Sequence, residues 1–491
     1  MTDKHIFVKT DLERILNEVR DKTLGEVDVK NVFARTKENP KITGIAGDVV
    51  EQSVLGYEPN TSRKPDLVVD GVPVELKTTG VLKKDDKFVA KEPSSITAVS
   101  LKTIAKETYK TSHFWKKIEH LLLVFYWYKS AQTVIASEYA NFPIKGHIFW
   151  EFDKDDQAII EKDWQMIHDF VEQVQKECDS EEAKKHYPNL STLINKKTIY
   201  LDTAPKFPKS PRFRLRRRVV DFIVDKALNK TKYEVLPDKY AGLSDIEKKC
   251  LQITNQYGGK TISEILTSFG ITFDENKTPK QYAEQAVVRM FGGTSTKISQ
   301  IEIFEKFGLK AKTVALTSKG KRTEDMKLFP VDFDELSTSD FDFEDSELFS
   351  FFHDNRLLCI VFEEQPVETG QKVKLSDNVF RGFQILTFDE DFIEEVKKTW
   401  DDARETILQG KLKSDPVLDK NGNQRITPKT KIGMTAVNLP KAESFNVFFR
   451  GTGRTAKSKI EILGVKMLRQ DYWIRGDYIA KALKTVKMIG D

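Results

Sequence analysis

Two acids and a lysine, Asp66, Glu75 and Lys77, are spaced to meet across one tight turn in the stretch PDLVVDGVPVELKTT (Pro65–Thr79). Asp70-Gly71 is a favoured pair for a two-residue hairpin loop, because both positions tolerate positive φ. That loop pairs Val69 with Val72, Val68 with Pro73, Leu67 with Val74 and Asp66 with Glu75. Directly opposed residues share a face, with Cβ atoms roughly 4.5–5.5 Å apart. Alternation puts Lys77 on the face of Glu75, while Val74 and Leu76 point the other way. Two opposed carboxylates repel, and a divalent cation between them removes the penalty. Oxygen-only ligands suit Mg²⁺, which keeps several waters and needs few carboxylates. A lysine beside them can hold and help activate an attacking water. The plain alternative is a solvated hairpin face with a chance ion pair.

Other residues are placed to join this group. GIAGDVVEQSVLGY (Gly44–Tyr57) has an amphipathic helical pattern with Glu51 beside its apolar stripe. A helix packed on the hairpin brings Glu51 near the metal, although a surface glutamate explains the spacing as well. Lys116 and Lys117 stand just before the apolar run HLLLVFYWY (His120–Tyr128), within reach of the site or simply at a charged approach to a strand. KFPKSPRFRLRRR (Lys206–Arg218) holds seven basic residues and no acid. Its alternation puts Arg212, Arg214 and Arg216 on one face, and arginine reads guanine edges and phosphates bidentately. Beside a metal-carboxylate hairpin, that cluster makes DNA the leading partner.

The elements that must carry these residues occur twice. HLLLVFYWY is answered by NRLLCIVFEE (Asn355–Glu364), and the pairs Phe152-Asp153 and Phe388-Asp389 precede Trp164 and Trp400 at equal spacing. The basic strand and helix ending at Leu228 are answered by LRQDYWIRGDYIAKAL ending at Leu483, and GDVVEQSV by KQYAEQAV. The order helix, hairpin, strand, strand, helix, basic strand, final helix predicts two tandem domains of one mixed α/β fold, at 1–230 and 231–491. The linker is expected around Asn229–Ser244. Aligning Gly308 with Gly71 puts Lys312 at Glu75, Val314 at Lys77 and Ile303 at Asp66, so the second copy lacks the acidic hairpin. It keeps the basic positions Arg469 and Arg475, which makes it a candidate second DNA-binding domain.

Composition sets outer bounds. The chain has 491 residues, 39% hydrophobic and 31% charged, with a net charge of only +4, so charge distribution rather than total charge argues for nucleic acid. Cys178, Cys250 and Cys359 form no CxxC pair, and no long apolar run occurs. These features predict a soluble cytoplasmic protein with no membrane segment.

Taken together, GDVVE, KPD, VELK, the WKKIEHLLLVFYW strand and the PRFRLRRRVVDFIVDKAL tail resemble the MutH family of PD-(D/E)xK nucleases. The layout is similar to that of its two-domain, GATC-cutting restriction members. The resemblance implies a restriction-endonuclease-like fold, repeated without its active site in the second half. It implies that Asp66, Glu75 and Lys77 are catalytic with Asp66 and Glu75 on Mg²⁺, that Glu51 and Lys117 join them, and that the strand from Arg212 reads DNA. It further implies cleavage of double-stranded DNA at GATC, before the G, by a monomer or DNA-induced dimer engaging two sites. The rival readings are a mismatch-repair nicking enzyme and a non-enzymatic DNA-binding protein.

Overall fold

The computed structural model describes residues 5–58, 64–84, 86–130, 133–195, 197–272, 281–322, 324–366, 374–427, 431–453 and 456–490. The chain divides into two compact units, Met1–Ile246 with Gln300–Gly308, and Glu247–Ser299 with Leu309–Asp491. Residues 300–308, beyond the 230/231 boundary expected from the sequence, thus belong with the first unit.

The first unit contains β1 (Ile6–Phe7), α1 (Lys9–Glu18), α2 (Ile45–Val49), β2 (Leu67–Val69), β3 (Val72–Lys84), β4 (Lys87–Ala90), β5 (Ser94–Ala98), α3 (His113–Ile118), β6 (Leu121–Trp127), β7 (Ile144–Trp150), α4 (Lys154–Glu177), α5 (Ser180–His186), α6 (Asn189–Asn195), β8 (Leu201–Ala204), β9 (Arg212–Leu215) and α7 (Arg217–Val224). Its main sheet runs β1-β2-β3-β6-β7, with β4 paired to β3. β3 is the long central strand, antiparallel to β2 and parallel to β6. The unbroken apolar run of β6 suits a strand covered on both faces. One of those faces packs Val74, Leu76, Leu122, Val124 and Tyr126 against Ile45, Val49 and Val50. β5, β9 and β8 form a smaller sheet.

The segment 300–308 is tied into this unit by charge. Lys306 donates to both oxygens of the buried Asp156 at 3.1 and 3.0 Å and meets Glu302 at 3.0 Å. Glu302 also pairs with Lys226 at 2.9 Å. Asp156 accepts the Tyr200 hydroxyl at 2.6 Å as well. Burial, the largest influence, raises the Asp156 pKa, and the Lys306 ammonium opposes it.

Further along the chain come α8 (Leu243–Tyr257), α9 (Ile262–Ser268), α10 (Gln281–Met290), α11 (Glu302–Phe307), β10 (Leu309–Leu316), β11 (Met326–Pro330), α12 (Phe333–Ser337), α13 (Glu347–Asp354), β12 (Arg356–Glu363), β13 (Val379–Leu386), α14 (Glu390–Leu408), β14 (Ser414–Pro416), β15 (Thr435–Val437), β16 (Val447–Thr452), β17 (Ile460–Ile462), β18 (Val465–Met467), β19 (Arg469–Ile474) and α15 (Gly476–Thr485). In the second unit β10-β12-β13 repeats β3-β6-β7, a parallel pair followed by an antiparallel one. β11-β19-β16 repeats β5-β9-β8: Ser94 and Leu201 both pair with Leu215, as Met326 and Val447 pair with Ile474.

Details repeat too. Ser112 caps α3 by accepting from Trp115 N at 3.0 Å, and Ser346 caps α13 by accepting from Phe349 N at 3.0 Å. Asp153 and Asp389 cap α4 and α14 in the same way. The rings of Tyr109 and Trp164 lie 5.8 Å apart, and those of Phe343 and Trp400 5.7 Å apart. The fold is therefore mixed α/β, in two tandem copies of one arrangement.

The strand registers correct one expectation. Leu121 pairs with Trp150 and Leu357 with Leu386, each pair ending two residues before the Phe-Asp helix start. Leu121 therefore corresponds to Leu357. Since Glu75 pairs with Leu121 and Lys310 with Leu357, Glu75 corresponds to Lys310 and Lys77 to Lys312. The alignment on Gly308 was two residues out, because Gly308 turns no hairpin: it ends α11 with φ 63°. Among the described residues, β10 pairs only with β12, and β2, the strand that follows Asp66 and pairs with β3, has no counterpart.

Candidate nuclease active site

The hairpin forms as its turn residues dictate. Asp70 and Gly71 have φ of 49° and 85°, and Leu67 pairs with Val74, Val68 with Pro73 and Val69 with Val72. Asp66 stands one residue before β2, and its Oδ2 accepts from Leu76 N at 3.1 Å. The backbone carbonyl of Asp66 lies 2.9 Å from His5 Nδ1.

Glu75 is the centre of the group, with only 1% of its surface exposed. Lys117 donates to both of its carboxylate oxygens at 2.8 Å, and Lys77 donates to Oε1 at 2.5 Å. α3 delivers Lys117 from the turn that leads into β6, while Lys116, one position earlier, is exposed. Helix phase thus turns Lys117, the lysine implied by the family resemblance, toward Glu75 and leaves Lys116 outside.

Glu51 arrives on a distorted helix. α2 passes into a π-helical turn at Val50–Val54, a geometry that recurs at functional sites. The helix lies close on the strand: a Cβ added at Gly47 would stand 3.4 Å from Thr78 Oγ1. Burial first, then the charges of Asp66 and Asp48, push the Glu51 pKa up to about 7, with Lys77 opposing. Burial and then Glu75 also raise Asp66, against Lys77 and Lys117.

Tyr57 was not singled out from the sequence. It is buried, its hydroxyl has no hydrogen-bond partner among the described residues, and its ring packs on His5 at 4.6 Å. Burial, then Glu51, Asp66 and Glu75, raise its pKa, so the hydroxyl belongs to the carboxylate group. Its place just after the Glu51 helix was the available signal.

These residues fit a divalent cation. The donors are all oxygen, two carboxylates are held above their ordinary range by burial and by neighbouring carboxylates, and a buried hydroxyl near them has no hydrogen-bond partner among the described residues. Among the described residues, the group of three ligand atoms close enough to share an ion is His168, Asp169 and Glu172 on α4 instead. It contains none of the predicted residues, and exposed acids of this kind are common on helices.

The three arginines do not share one exposed face. Arg212 is exposed. Arg214 forks onto Asp202, with Nε at 2.8 Å and Nη2 at 3.0 Å. Arg216 has left the strand to cap α7 and is 1% exposed. It donates to Leu201 O at 3.1 Å and Thr198 Oγ1 at 2.7 Å. Arg475 caps α15 at the matching place and chelates Asp477 at 2.9 and 2.6 Å, while Arg469 is exposed. Arg216→Met is therefore expected to lower stability by roughly 2–4 kcal/mol, because two buried acceptors lose a charged donor. Arg212→Ala should leave the denaturation midpoint unchanged and weaken DNA binding, as chemical denaturation and DNA titration would record.

Similarity to known proteins agrees with this geometry. Residues 55–163 match the family model for the DNA mismatch repair enzyme MutH. That stretch includes Tyr57, Asp66, Glu75, Lys77 and Lys117, and Glu51 precedes it. The chain is also 25% identical over 479 residues to the type II restriction enzyme Sau3AI of Staphylococcus aureus, spanning 89% of this chain and 92% of that protein. These similarities support a restriction-type nuclease with DNA as its partner and a divalent metal cation in its site. No helix among the described residues is long and apolar enough to cross a membrane.

Proposed function

Taking as premise that the chain is MutH-like, with the layout of the restriction enzyme Sau3AI, we propose that it is a Mg²⁺-dependent type II restriction endonuclease cutting double-stranded DNA at GATC. The observation that carries this reading is the hairpin group itself: Asp66 and Glu75 beside Lys77, with Lys117 clamping Glu75 at 2.8 Å. GATC comes from the family resemblance.

In this reading Asp66 and Glu75 would hold the ion, which would neutralise charge at the phosphate and ease deprotonation of the attacking water. Lys117 fixes the Glu75 carboxylate in one rotamer, so that its oxygens are positioned before substrate arrives. Lys77, already at hydrogen-bond distance from Glu75 Oε1, orients the attacking water and stabilises the charge that grows on the phosphate oxygens. One P–O bond forms from the water, which releases a proton to solvent, one breaks at the leaving sugar oxygen, and that oxygen takes up a proton from solvent. Glu51 and Tyr57 line the same space.

Digestion of supercoiled plasmid tests the reading. Linear products with ends mapping to GATC are expected in Mg²⁺, and plasmids with two sites should be cut faster than those with one. Open circles alone would favour a nicking enzyme of the mismatch-repair kind, and intact plasmid under every divalent ion would leave a DNA-binding protein.

A further inference from the structure

Two insertions set the second unit apart from the first. β16 answers β8 and β19 answers β9 by strand register, and α14 answers α4 by its aspartate cap. Between α4 and β8 the first unit carries the helices α5 and α6, whereas between α14 and β16 the second carries the ribbon β14–β15. Between β8 and β9 runs the short stretch 205–211, whereas between β16 and β19 stands the hairpin β17–β18. The two insertions meet: β18 lies beside β14 and β15, and Lys459 Nζ donates to Thr435 Oγ1 at 2.7 Å.

The ribbon, residues 411–438, is held by its own backbone. Val417 N donates to Met434 O at 2.9 Å, Arg425 N to Val417 O at 2.8 Å and Met434 N to Arg425 O at 2.7 Å, so three stretches of chain meet at one point. Two turns leave that point. Asp419 N donates to Asn423 O at 2.8 Å across the first, and Lys431 N to Thr427 O at 2.9 Å across the second. Lys420 sits in the first turn, Lys431 closes the second, and Arg425 stands between them. Every residue from Leu418 to Ile426 is exposed.

The charge of the ribbon is one-sided. Lys411, Lys413, Lys420, Arg425, Lys429 and Lys431 stand against Asp415 and Asp419, an excess as large as the net +4 of the entire chain. Both acids are engaged locally. Asp415 meets Lys413 at 3.0 Å, and Asp419 accepts from Asn421 N and Asn423 N at 2.8 and 3.0 Å within its own turn. Lys411, Lys420, Arg425 and Lys431 are exposed and meet no acid among the described residues. Glu461, on the neighbouring hairpin, lies opposite Lys466. Lysines by themselves guard an exposed strand edge against association. Leu418 and Ile426, 56% and 58% exposed among them, undo that protection. Cations around exposed apolar side chains suit a partner that is anionic and also offers apolar surface. Duplex DNA is such a partner: phosphates flank a major groove that admits a two-stranded ribbon and carries the thymine methyls.

We propose that the 411–438 ribbon is an arm that lies in the major groove of double-stranded DNA, with Lys420, Arg425 and Lys431 on phosphates and Leu418 and Ile426 against base edges. The arm is separate from β19, the strand that matches the first unit's basic strand. Its ligand rests on the nuclease reading.

The experiment uses the whole chain in excess EDTA, titrated with a labelled GATC duplex over a range of salt. Each lost phosphate contact makes the plot of log affinity against log salt shallower by about 0.9. Lys420→Gln/Arg425→Gln/Lys431→Gln should therefore flatten it by about 2.7, and a rise from about 50 to about 200 mM salt should weaken this variant about 40-fold less than the parent. Lys420→Arg/Arg425→Lys/Lys431→Arg should keep the parent slope. Leu418→Ser/Ile426→Ser should bind more weakly at every salt with that same slope. A thermal melt accompanies each variant, and if the triple glutamine variant melts early, Lys420→Gln alone carries the test with a change of about 0.9. A folded variant with the parent slope overturns the arm. So does a double serine variant that splits a dimer in sedimentation while keeping its DNA affinity, since the ribbon would then join copies of the chain. Parent protein that binds the duplex yet leaves plasmid uncut in Mg²⁺ overturns the nuclease reading instead, so the two failures are told apart.

Discussion

Glu75→Gln is expected to cut plasmid DNA about 10³-fold more slowly than the parent, and Lys77→Met to fall about as far, since each removes charge needed most in the transition state. Glu75 is 1% exposed and holds two ammonium groups at once. On the proposed reading, neutralising it removes a metal ligand and also frees Lys77 and Lys117 to repel a cation at the same place. Lys117→Met should cost less, about 10- to 100-fold, because Lys77 still holds Glu75. Removing one partner of a buried charged group can itself cost about 3–5 kcal/mol. A thermal melt must therefore accompany each rate, and Glu75→Gln/Lys117→Met, which removes one of the stranded ammonium groups, serves as the folded control. If any of these single variants cut at near the parent rate, that residue would leave the mechanism.

Chelation should abolish cleavage, and its effect on stability should depend on pH. Mg²⁺ or Mn²⁺ should restore cutting, whereas Ca²⁺, with its looser coordination, should support binding alone. Full activity in excess EDTA would refute the metal assignment. Glu51 ordinarily titrates at 4.5 and is pushed up to about 7 in the fold. Between those values the folded chain holds a proton that the unfolded chain has lost, so its contribution falls as pH rises through the window. Metal-free protein should therefore lose stability from about pH 5 to about pH 8, and Glu51→Gln should flatten that slope. A bound cation favours the ionised carboxylates, so the gap between melting temperatures in Mg²⁺ and in EDTA should widen as pH rises. Equal gaps at both ends of the range would separate Glu51 from the metal site.

The parts of this site that were legible were those set by local rules. An Asp-Gly pair between alternating apolar residues specifies both a loop and a register, and the register brought Glu75 and Lys77 onto one face. Residues placed by helix phase were harder to read. Lys116 and Lys117 differ by one step on α3, and only packing tells which one turns inward. The π-turn at Val50–Val54 carries no sequence mark of its own. Arg216 follows the alternation of Arg212 and Arg214, yet the strand stops at Leu215 and the next residue caps a helix in the interior. In the second copy, Gly308 looked like a hairpin glycine and is a helix terminator, which moved the expected register by two residues.

The segment Gln300–Gly308 bears on how this chain can be taken apart. A stop codon after Ile246 would remove Lys306, and Asp156 would be left in the interior with the Tyr200 hydroxyl but without the ammonium that pairs with it. Lys226 would lose Glu302 in the same cut. The gene is thus not two cassettes in a row: the first product needs nine codons printed inside the second, and the second is interrupted by them. Fragments made by simple truncation should be unstable on their own. A first half could be expressed alone by grafting residues 300–308 onto its end through a short flexible connector.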